Sequence, residues 1–246
     1  MDTKGLSDWR LQAVSNLAED WVSPWSGQKV AKGAQVTVVT VTKTKTGREL
    51  TLPLPNATAL MLNASQRAFR HASILRKKNK IDEAKAVSIT FRSNLDAFEY
   101  LEYMMESVLT AHAGLEAFAN DQIPSDYEYI SHRRSDVIVE IADKEKIQRH
   151  ISLCEKISVI LPEVLGVKTP KGNAKCWNDY RSLKKLRDRI THMKSEDRRS
   201  AQSDVDTVWH ALVAAEPPFA QALAVIRHFG DSPKSIQRWL VECPIR

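Results

Sequence analysis

The sequence predicts a mainly α-helical protein, with a helical bundle in the C-terminal two-thirds of the chain and a small N-terminal α+β element that contains a β-hairpin. Glycine and proline are scarce, with 8 Gly and 10 Pro in 246 residues, which leaves few positions for tight turns. Apolar residues after residue 93 recur at the three- and four-residue spacing of amphipathic helices. Only residues 35–54 combine β-branched side chains with the two-residue alternation of strands. We therefore expect two regions, residues 1–92 and residues 93–246.

The N-terminal region, residues 1–92, is predicted to fold as a helix, a hairpin and a second helix. The first helix spans Leu6 to Val22, and its apolar residues have helical spacing: Leu6, Trp9, Ala13, Leu17 and Trp21. Residues 35–42 and 49–54 are the predicted strands of the hairpin, because Gly47 between them can take the positive φ that a tight turn needs. The sequence assigns no role to this region.

A second N-terminal helix is predicted from Asn56 to Lys80, and residues 86–92 are a short strand or an extended connection. The end of this helix carries three adjacent cations, Arg76, Lys77 and Lys78. They have two interpretations: a solvated last turn whose charges oppose the helix dipole, or a patch that binds phosphate groups.

The C-terminal region, residues 93–246, is predicted to be almost wholly helical. The predicted helices are Asn94–Asn120, Asp143–Leu165, Trp177–His192, Ala201–Arg227 and Ser232–Val241. The first of them has a broad apolar stripe, which requires burial against several other helices. Its one histidine, His112, is expected to be a hydrogen-bonded core or interface residue. Residues 131–136 are expected to form an exposed loop, and Pro217 with Pro218 should interrupt the fourth helix.

Composition and charge narrow the class of protein. The formal net charge of +6 favours a polyanionic partner without requiring one. The three cysteines have no metal-ligand spacing and fit a reducing compartment. The N-terminus lacks the apolar core of a signal peptide, and no apolar run approaches the ~20 residues that span a bilayer. We therefore expect a cytoplasmic protein with no membrane segment, no cofactor and no metal site.

The candidate site lies in the basic segment Trp177–Asp197, where Arg187 is followed by Asp188 and, four residues further on, by His192. A guanidinium binds phosphate, and imidazole has the ordinary pKa that allows proton transfer near neutrality. On a regular helix, five residues at about 100° each place the Arg and the His roughly 140° apart. They converge if the helix ends at Thr191, if a local bulge or the length of the arginine brings them together, or if a second copy of the helix faces the first across a two-fold axis.

This segment resembles the HEPN superfamily of helical ribonuclease and nucleotide-binding domains. Members carry an Arg, then four to six residues, then a His, and the residue after the Arg is often Asn, Asp or His. Arg187 and His192 match the pair, and Asp188 matches the polar follower. An aromatic helix leads into the sequence LRDRITH, much as in these domains. The similarity covers Ser93 to about Phe229.

The resemblance implies a bundle of four or five helices that forms a homodimer with the motif at the interface. It implies a metal-independent endoribonuclease, of the kind found in toxins and antiviral effectors that cut tRNA, rRNA or mRNA. One His192 would take the proton of the ribose 2′-OH while another protonates the leaving 5′-oxygen. Arg187 would stabilise the phosphorane, and Asp188 would orient the Arg or the His. RNA is then the substrate, and an antitoxin or a regulatory protein is an expected partner.

Six cations are candidates for contacts with RNA phosphates: Lys184, Lys185, Arg189, Arg76, Lys77 and Lys78. Two other functions fit the same sequence. One is a non-catalytic scaffold for dimerisation or nucleic-acid binding, in which the basic helices hold phosphates and His192 only packs. The other is an adaptor whose helical surface recruits another protein. A metal hydrolase is disfavoured, because no His or carboxylate spacing resembles a ligand set.

Overall fold

The computed structural model describes residues 8–23, 27–83, 88–132, 139–199, 205–230 and 237–245. The chain divides into two compact units. The smaller unit comprises Met1–Leu60 and Gln237–Pro244, and the larger comprises Met61–Ile236 and Ile245–Arg246.

The described residues are mainly helical, as predicted. The α-helices are α1 (Ala57–Lys78), α2 (Asn94–Gln122), α3 (Lys144–His150), α4 (Leu153–Glu155), α5 (Leu161–Leu165), α6 (Ala174–Thr191), α7 (Val208–Val213), α8 (Pro218–Gly230) and α9 (Arg238–Glu242). A π-helical segment, Lys156–Ile160, joins α4 to α5. The strands are β1 (Val14–Asn16), β2 (Trp21–Val22), β3 (Lys29–Val30), β4 (Gln35–Thr37), β5 (Val39–Lys43), β6 (Glu49–Pro53), β7 (Tyr129–His132) and β8 (Val139–Ala142). They pair as two-stranded antiparallel sheets, β1 with β4, β2 with β3, β5 with β6 and β7 with β8.

The predicted hairpin is confirmed in the smaller unit. β5 pairs with β6 along its whole length, and Gly47 in the connecting turn has a φ of 79°. The predicted first strand is divided in two, because β4 pairs with β1 and Val39 begins the separate strand β5.

The predicted helix from Leu6 to Val22 is wrong. In its described part, from Asp8 onward, the chain forms β1 and β2 instead. Val14–Asn16 consists of poor helix formers, and it pairs with Gln35–Thr37. Backbone pairing with a distant strand therefore outweighs the helical spacing of the apolar residues. Residues 6 and 7 lie outside the described residues.

The predicted helix from Asn56 to Lys80 is confirmed as α1. The Asn56 side chain accepts a hydrogen bond from the Ala59 backbone N–H at 2.9 Å, which is the usual role of Asn before a helix. Further along α1, the Ser65 hydroxyl lies 2.8 Å from the carbonyl oxygen of Ser107 in α2. Most of α1 therefore belongs to the larger unit, although it was predicted to be part of the N-terminal region.

α2 is the central helix of the larger unit and packs against α6, α7 and α8. Its predicted apolar stripe is confirmed in part: Met104, Val108, Ala111, Leu115 and Phe118 are buried, whereas Phe98, which was predicted to belong to the stripe, is 61% exposed. The ring of Phe118 lies 6.3 Å from that of Phe229 in α8, centroid to centroid. Each large apolar side chain buried in this way contributes roughly 1.5–3 kcal/mol, so α2 carries much of the core.

The predicted continuous helix from Asp143 to Leu165 is also wrong. α3 ends at His150, and Ile151 has extended backbone. The Ser152 hydroxyl then accepts a hydrogen bond from the Glu155 N–H at 3.2 Å and starts α4. Serine favours such caps over helix interiors because its hydroxyl competes for backbone N–H groups.

The hairpin of β7 and β8 was not predicted. The expected loop at residues 131–136 is described only at its first two positions, which belong to β7; residues 133–138 lie outside the described residues.

Two other predicted elements differ from the structure. Residues 88–92 are not a strand. The predicted helix of residues 201–227 is represented by α7 and α8, with a break before Pro218. Across the described ranges, the helices lack the length and apolar character needed to cross a membrane.

Lys156 is fully buried at the start of the π-helical segment. Its Nζ donates hydrogen bonds to Glu116 Oε1 at 2.7 Å, to Asn120 Oδ1 at 2.9 Å and to the Gln148 carbonyl oxygen at 3.0 Å. Every N–H of the ammonium thus has an acceptor, which offsets the cost of removing its charge from water. The contact ties the π-helical segment to α2 and to α3.

Replacing Lys156 with Met should lower the free energy of unfolding by about 3 kcal/mol, because Met fills similar space but leaves the three acceptors without their donor. Urea denaturation at pH 7 measures this change. Lys146→Met, at an exposed position of α3, is the matched control and should change stability by less than about 0.5 kcal/mol. Equal values for the two variants would show that the buried ammonium does not stabilise the fold.

Candidate functional site

α6 carries the candidate residues and is held in place by one buried face. Asn173 begins the helix, because its Oδ1 accepts a hydrogen bond from the Cys176 N–H at 3.1 Å. Tyr180, Leu183 and Ile190 follow the three- and four-residue spacing of one helix face and are buried. Trp177 and Leu186 belong to the same face and are half-buried. The more polar side of α6 is therefore left for the site.

His192 lies immediately after the last residue of α6. Its backbone has φ −126° and ψ 61°, outside the helical region, while its N–H still donates to the Asp188 carbonyl oxygen at 2.9 Å. The helix thus ends at Thr191, which is one of the conditions predicted to let Arg187 and His192 converge. The imidazole is exposed.

Arg187 binds a different histidine from the one in the motif. Its Nη2 lies 3.0 Å from Nε2 of His112 in α2, and its Nη1 lies 3.1 Å from Asp188 Oδ1. Among the contacts of the described residues, none joins Arg187 to His192. His112 is buried and hydrogen-bonded, as predicted, but its partner Arg187 was not predicted.

Asp188 binds two cations that precede it on α6, Lys184 and Arg187. Its Oδ2 accepts from Lys184 Nζ at 2.5 Å, one helical turn earlier, while Oδ1 faces Arg187. Partial burial opposes ionisation of the carboxyl group, but the Lys184 hydrogen bond and the Arg187 charge outweigh it, and the pKa of Asp188 is lowered. Asp188 is therefore a carboxylate near neutral pH and keeps Arg187 in place electrostatically.

The imidazole of His112 is 6% exposed, and its environment favours the neutral form. Burial lowers its pKa to about 4, with a further contribution from the positive charge of Arg187. Glu116 and Asp188 act in the opposite direction but do not cancel these effects. His112 is consequently an uncharged hydrogen-bond acceptor for Arg187 at physiological pH.

His192 and Asp188 line a surface cleft of about 530 Å³ in the larger unit. The same cleft is lined by the cations Lys185, Arg189 and Lys194. It is also lined by residues of α7, of the segments before and after α7, and of α8: Asp206, Ala211, Ala214, Ala215, Glu216 and Gln221. An exposed imidazole, three carboxylates and three cations thus line one cleft.

Asp197 fixes the elements that form this cleft. Its buried carboxylate accepts from Arg189 Nε at 3.0 Å and from the backbone N–H groups of Lys194 and Val208 at 2.8 and 2.7 Å. The Arg189 hydrogen bond is the main cause of the lowered pKa of Asp197. One carboxylate therefore connects α6, the segment after it and the start of α7.

The six cations proposed to bind RNA phosphates differ in their surroundings. Four have carboxylate partners already: Arg76 with Asp82, Lys78 with Asp96, Lys184 with Asp188, and Arg189 with Asp197. Lys77 and Lys185 are exposed and have no carboxylate within ion-pair distance in the part of the chain that the structure describes. Lys185 lines the cleft of His192, whereas Lys77 and Arg76 line a separate cleft of about 550 Å³ between α1, α2 and the α7–α8 connection.

Within the described ranges, no three His, Cys, Asp or Glu side chains lie close enough together to hold a metal ion. The chain matches no family model, and neither a curated protein nor a solved structure is significantly similar to it. The resemblance to the HEPN superfamily therefore rests on the motif and its surroundings in the sequence.

The stability of the wild type should fall relative to His112→Gln as the pH is lowered from about 6.5 to about 4. In this range His112 of the unfolded chain takes up a proton that the folded protein does not, so acid favours unfolding. The difference should reach roughly 3 kcal/mol, measured by urea denaturation at a series of pH values.

His150→Gln is the control for this titration, because His150 is an exposed residue at the end of α3. It should keep the pH dependence of the wild type. If His112→Gln also keeps it, His112 is not held neutral in the folded state.

Proposed function

We propose that this chain is a metal-independent endoribonuclease of the HEPN type, which cleaves RNA by attack of a ribose 2′-OH on the adjacent phosphate. The observation that carries the proposal is the end of α6 at Thr191. It leaves the exposed imidazole of His192 in the same cleft as Asp188, and Asp188 holds Arg187. The motif residues therefore share one end of one helix, with a cleft beside them.

The assigned roles are those of an acid–base reaction at phosphorus. An unprotonated His192 takes the 2′-OH proton while O2′ bonds to phosphorus. A protonated His192 gives its proton to O5′ as the P–O5′ bond breaks, which leaves a 2′,3′-cyclic phosphate and a 5′-OH. Arg187, whose side chain is 29% exposed, stabilises the negative charge of the phosphorane. Asp188 orients Arg187.

The reaction needs two histidines, and we propose that a homodimer supplies them. A second α6 across a two-fold axis would place two copies of Arg187 and His192 around one groove. The bundle formed by α2, α6, α7 and α8 is compatible with the four or five helices of the HEPN fold, which we propose for the larger unit.

The substrate class follows from the nucleophile, because DNA lacks the 2′-OH. Lys185 is the best placed of the predicted phosphate-binding cations. It lines the cleft, and its ammonium has no carboxylate partner among the described residues. We propose a toxin or antiviral effector as the setting, with an antitoxin or regulatory protein as partner. The three free cysteines fit a cytoplasmic location.

A second function is favoured by the inward contact of Arg187. In a non-catalytic scaffold for dimerisation or nucleic-acid binding, the Arg187–His112 contact would stabilise the bundle, and exposed lysines alone would bind phosphates. Such a protein would bind RNA with a steep dependence on salt but would not cut it.

The proposed reaction predicts that the wild type cleaves tRNA or rRNA in the presence of EDTA and leaves 2′,3′-cyclic phosphate ends. His192→Ala and Arg187→Ala should each lower the rate by at least about 100-fold, because each removes a group that acts in the transition state. Gel analysis of the cleaved RNA, with mapping of its 3′ ends, measures both results.

His150→Ala is the matched control and should cut at the wild-type rate, since His150 lies on α3 and outside the cleft. Thermal unfolding and gel filtration should show that all variants are folded and have the same oligomeric state. Salt-dependent binding of RNA without cleavage by the wild type would reject the enzyme in favour of the scaffold.

A further inference from the structure

We propose that His112 is the positioning residue for Arg187: it fixes the guanidinium by accepting a hydrogen bond from α2, outside the sequence motif. This inference rests on the proposed function, since it assigns His112 a part in the same reaction. His112 would act through Arg187 and would not touch the RNA.

The geometry of the contact carries the inference. Nη2 of Arg187 lies 3.0 Å from Nε2 of His112, a normal hydrogen-bond distance. The two residues are 75 positions apart in the chain and belong to helices that pack against each other. A buried ring on a central helix moves little, so it defines where the end of the long arginine side chain lies.

The direction of the hydrogen bond follows from the chemistry of the two groups. A guanidinium has N–H donors and no acceptor, so Nε2 of His112 must supply the lone pair. The ring proton then lies on Nδ1. A protonated imidazole would place a second N–H donor against the guanidinium and break the contact. Burial and the nearby cations Arg187 and Lys184, which outweigh Glu116 and Asp188, keep the ring unprotonated.

The contact leaves Arg187 able to bind a phosphate. His112 takes one N–H of Nη2, and Asp188 lies beside Nη1. Each of these nitrogens has a second N–H, and the side chain is partly exposed. Partners at both terminal nitrogens restrict how the guanidinium can turn, and the second N–H of each nitrogen can still donate to a phosphate.

A purely structural role for His112 makes a different prediction from a positioning role. If the contact only satisfies buried polar groups, its loss lowers stability and leaves the turnover of the folded enzyme unchanged. If it positions Arg187, its loss lowers kcat in protein that is still folded, because small displacements of a transition-state group are costly. The turnover should then depend on the hydrogen-bond acceptor at position 112 and not on the imidazole ring itself.

Two substitutions separate the acceptor from the ring. In His112→Gln, the side-chain oxygen reaches about as far as Nε2 and can accept from Arg187. In His112→Leu, the volume is kept approximately and the acceptor is lost. We expect His112→Leu to lower kcat by about 10- to 100-fold with KM changed by less than about threefold, and His112→Gln to retain kcat within a few-fold.

A double-mutant cycle tests whether the effect passes through Arg187. In the Arg187→Lys background, His112→Leu should cause little further loss, because the guanidinium that it positions is already absent. Full additivity of the two losses would overturn the inference. So would an unchanged kcat in folded His112→Leu when Arg187→Ala is inactive.

NMR of the wild type gives a measurement that needs no variant to fold. In protein labelled with ¹⁵N-histidine, the ring nitrogens of His112 should show a neutral ring protonated on Nδ1 at pH 7. A ring protonated on Nε2 or on both nitrogens would overturn the inference.

If the wild type cuts no RNA, the proposed function fails and the catalytic role of His112 fails with it. Cleavage by the wild type that His112→Leu leaves intact rejects only the positioning role.

Discussion

The packing of α2 against α6 and α8 is the constraint on which the rest of the larger unit depends. Small buried side chains such as Ala111 allow close approach of neighbouring helices, and the register of that packing fixes the polar residues of α2. His112 and Glu116 are one helical turn apart, yet they bind different cations, Arg187 of α6 and Lys156 of the π-helical segment. The packing around α2 therefore determines which partners bind the half-buried guanidinium of Arg187 and the buried ammonium of Lys156.

Strongly periodic segments were predictable from the sequence because their pattern is local. α2 and α6 were predicted nearly to their ends, and the turn residue Gly47 identified the hairpin of β5 and β6. The helix predicted for residues 6–22 failed because its apolar spacing could not reveal β4, about twenty residues away, as a backbone partner. The π-helical segment was not predicted. The acceptors that surround its first residue, Lys156, come from α2 and α3, so the sequence next to Lys156 does not reveal them.

The candidate site shows the same limit. The motif placed Arg187, Asp188 and His192 on one helix and at its end, because all three are neighbours in sequence. His112 is 75 residues away from its partner, and its only signal was a polar residue within an apolar stripe. Counting cations was less informative, because carboxylates already neutralise four of the six candidates. The structure was needed to show that Lys185 lines the cleft and is not among these four paired cations.

The hairpin of β5 and β6 has a consequence for how the protein behaves at high concentration. Within the described residues it is a two-stranded sheet with all its strand residues exposed. It exposes 41–47% of four apolar side chains, Val39, Val41, Leu50 and Leu52. Unpaired strand edges beside apolar side chains are templates for self-association, while the flanking cations Lys43 and Arg48 repel other copies. Salt screens that repulsion, so concentrated samples would form β-rich aggregates sooner at high ionic strength.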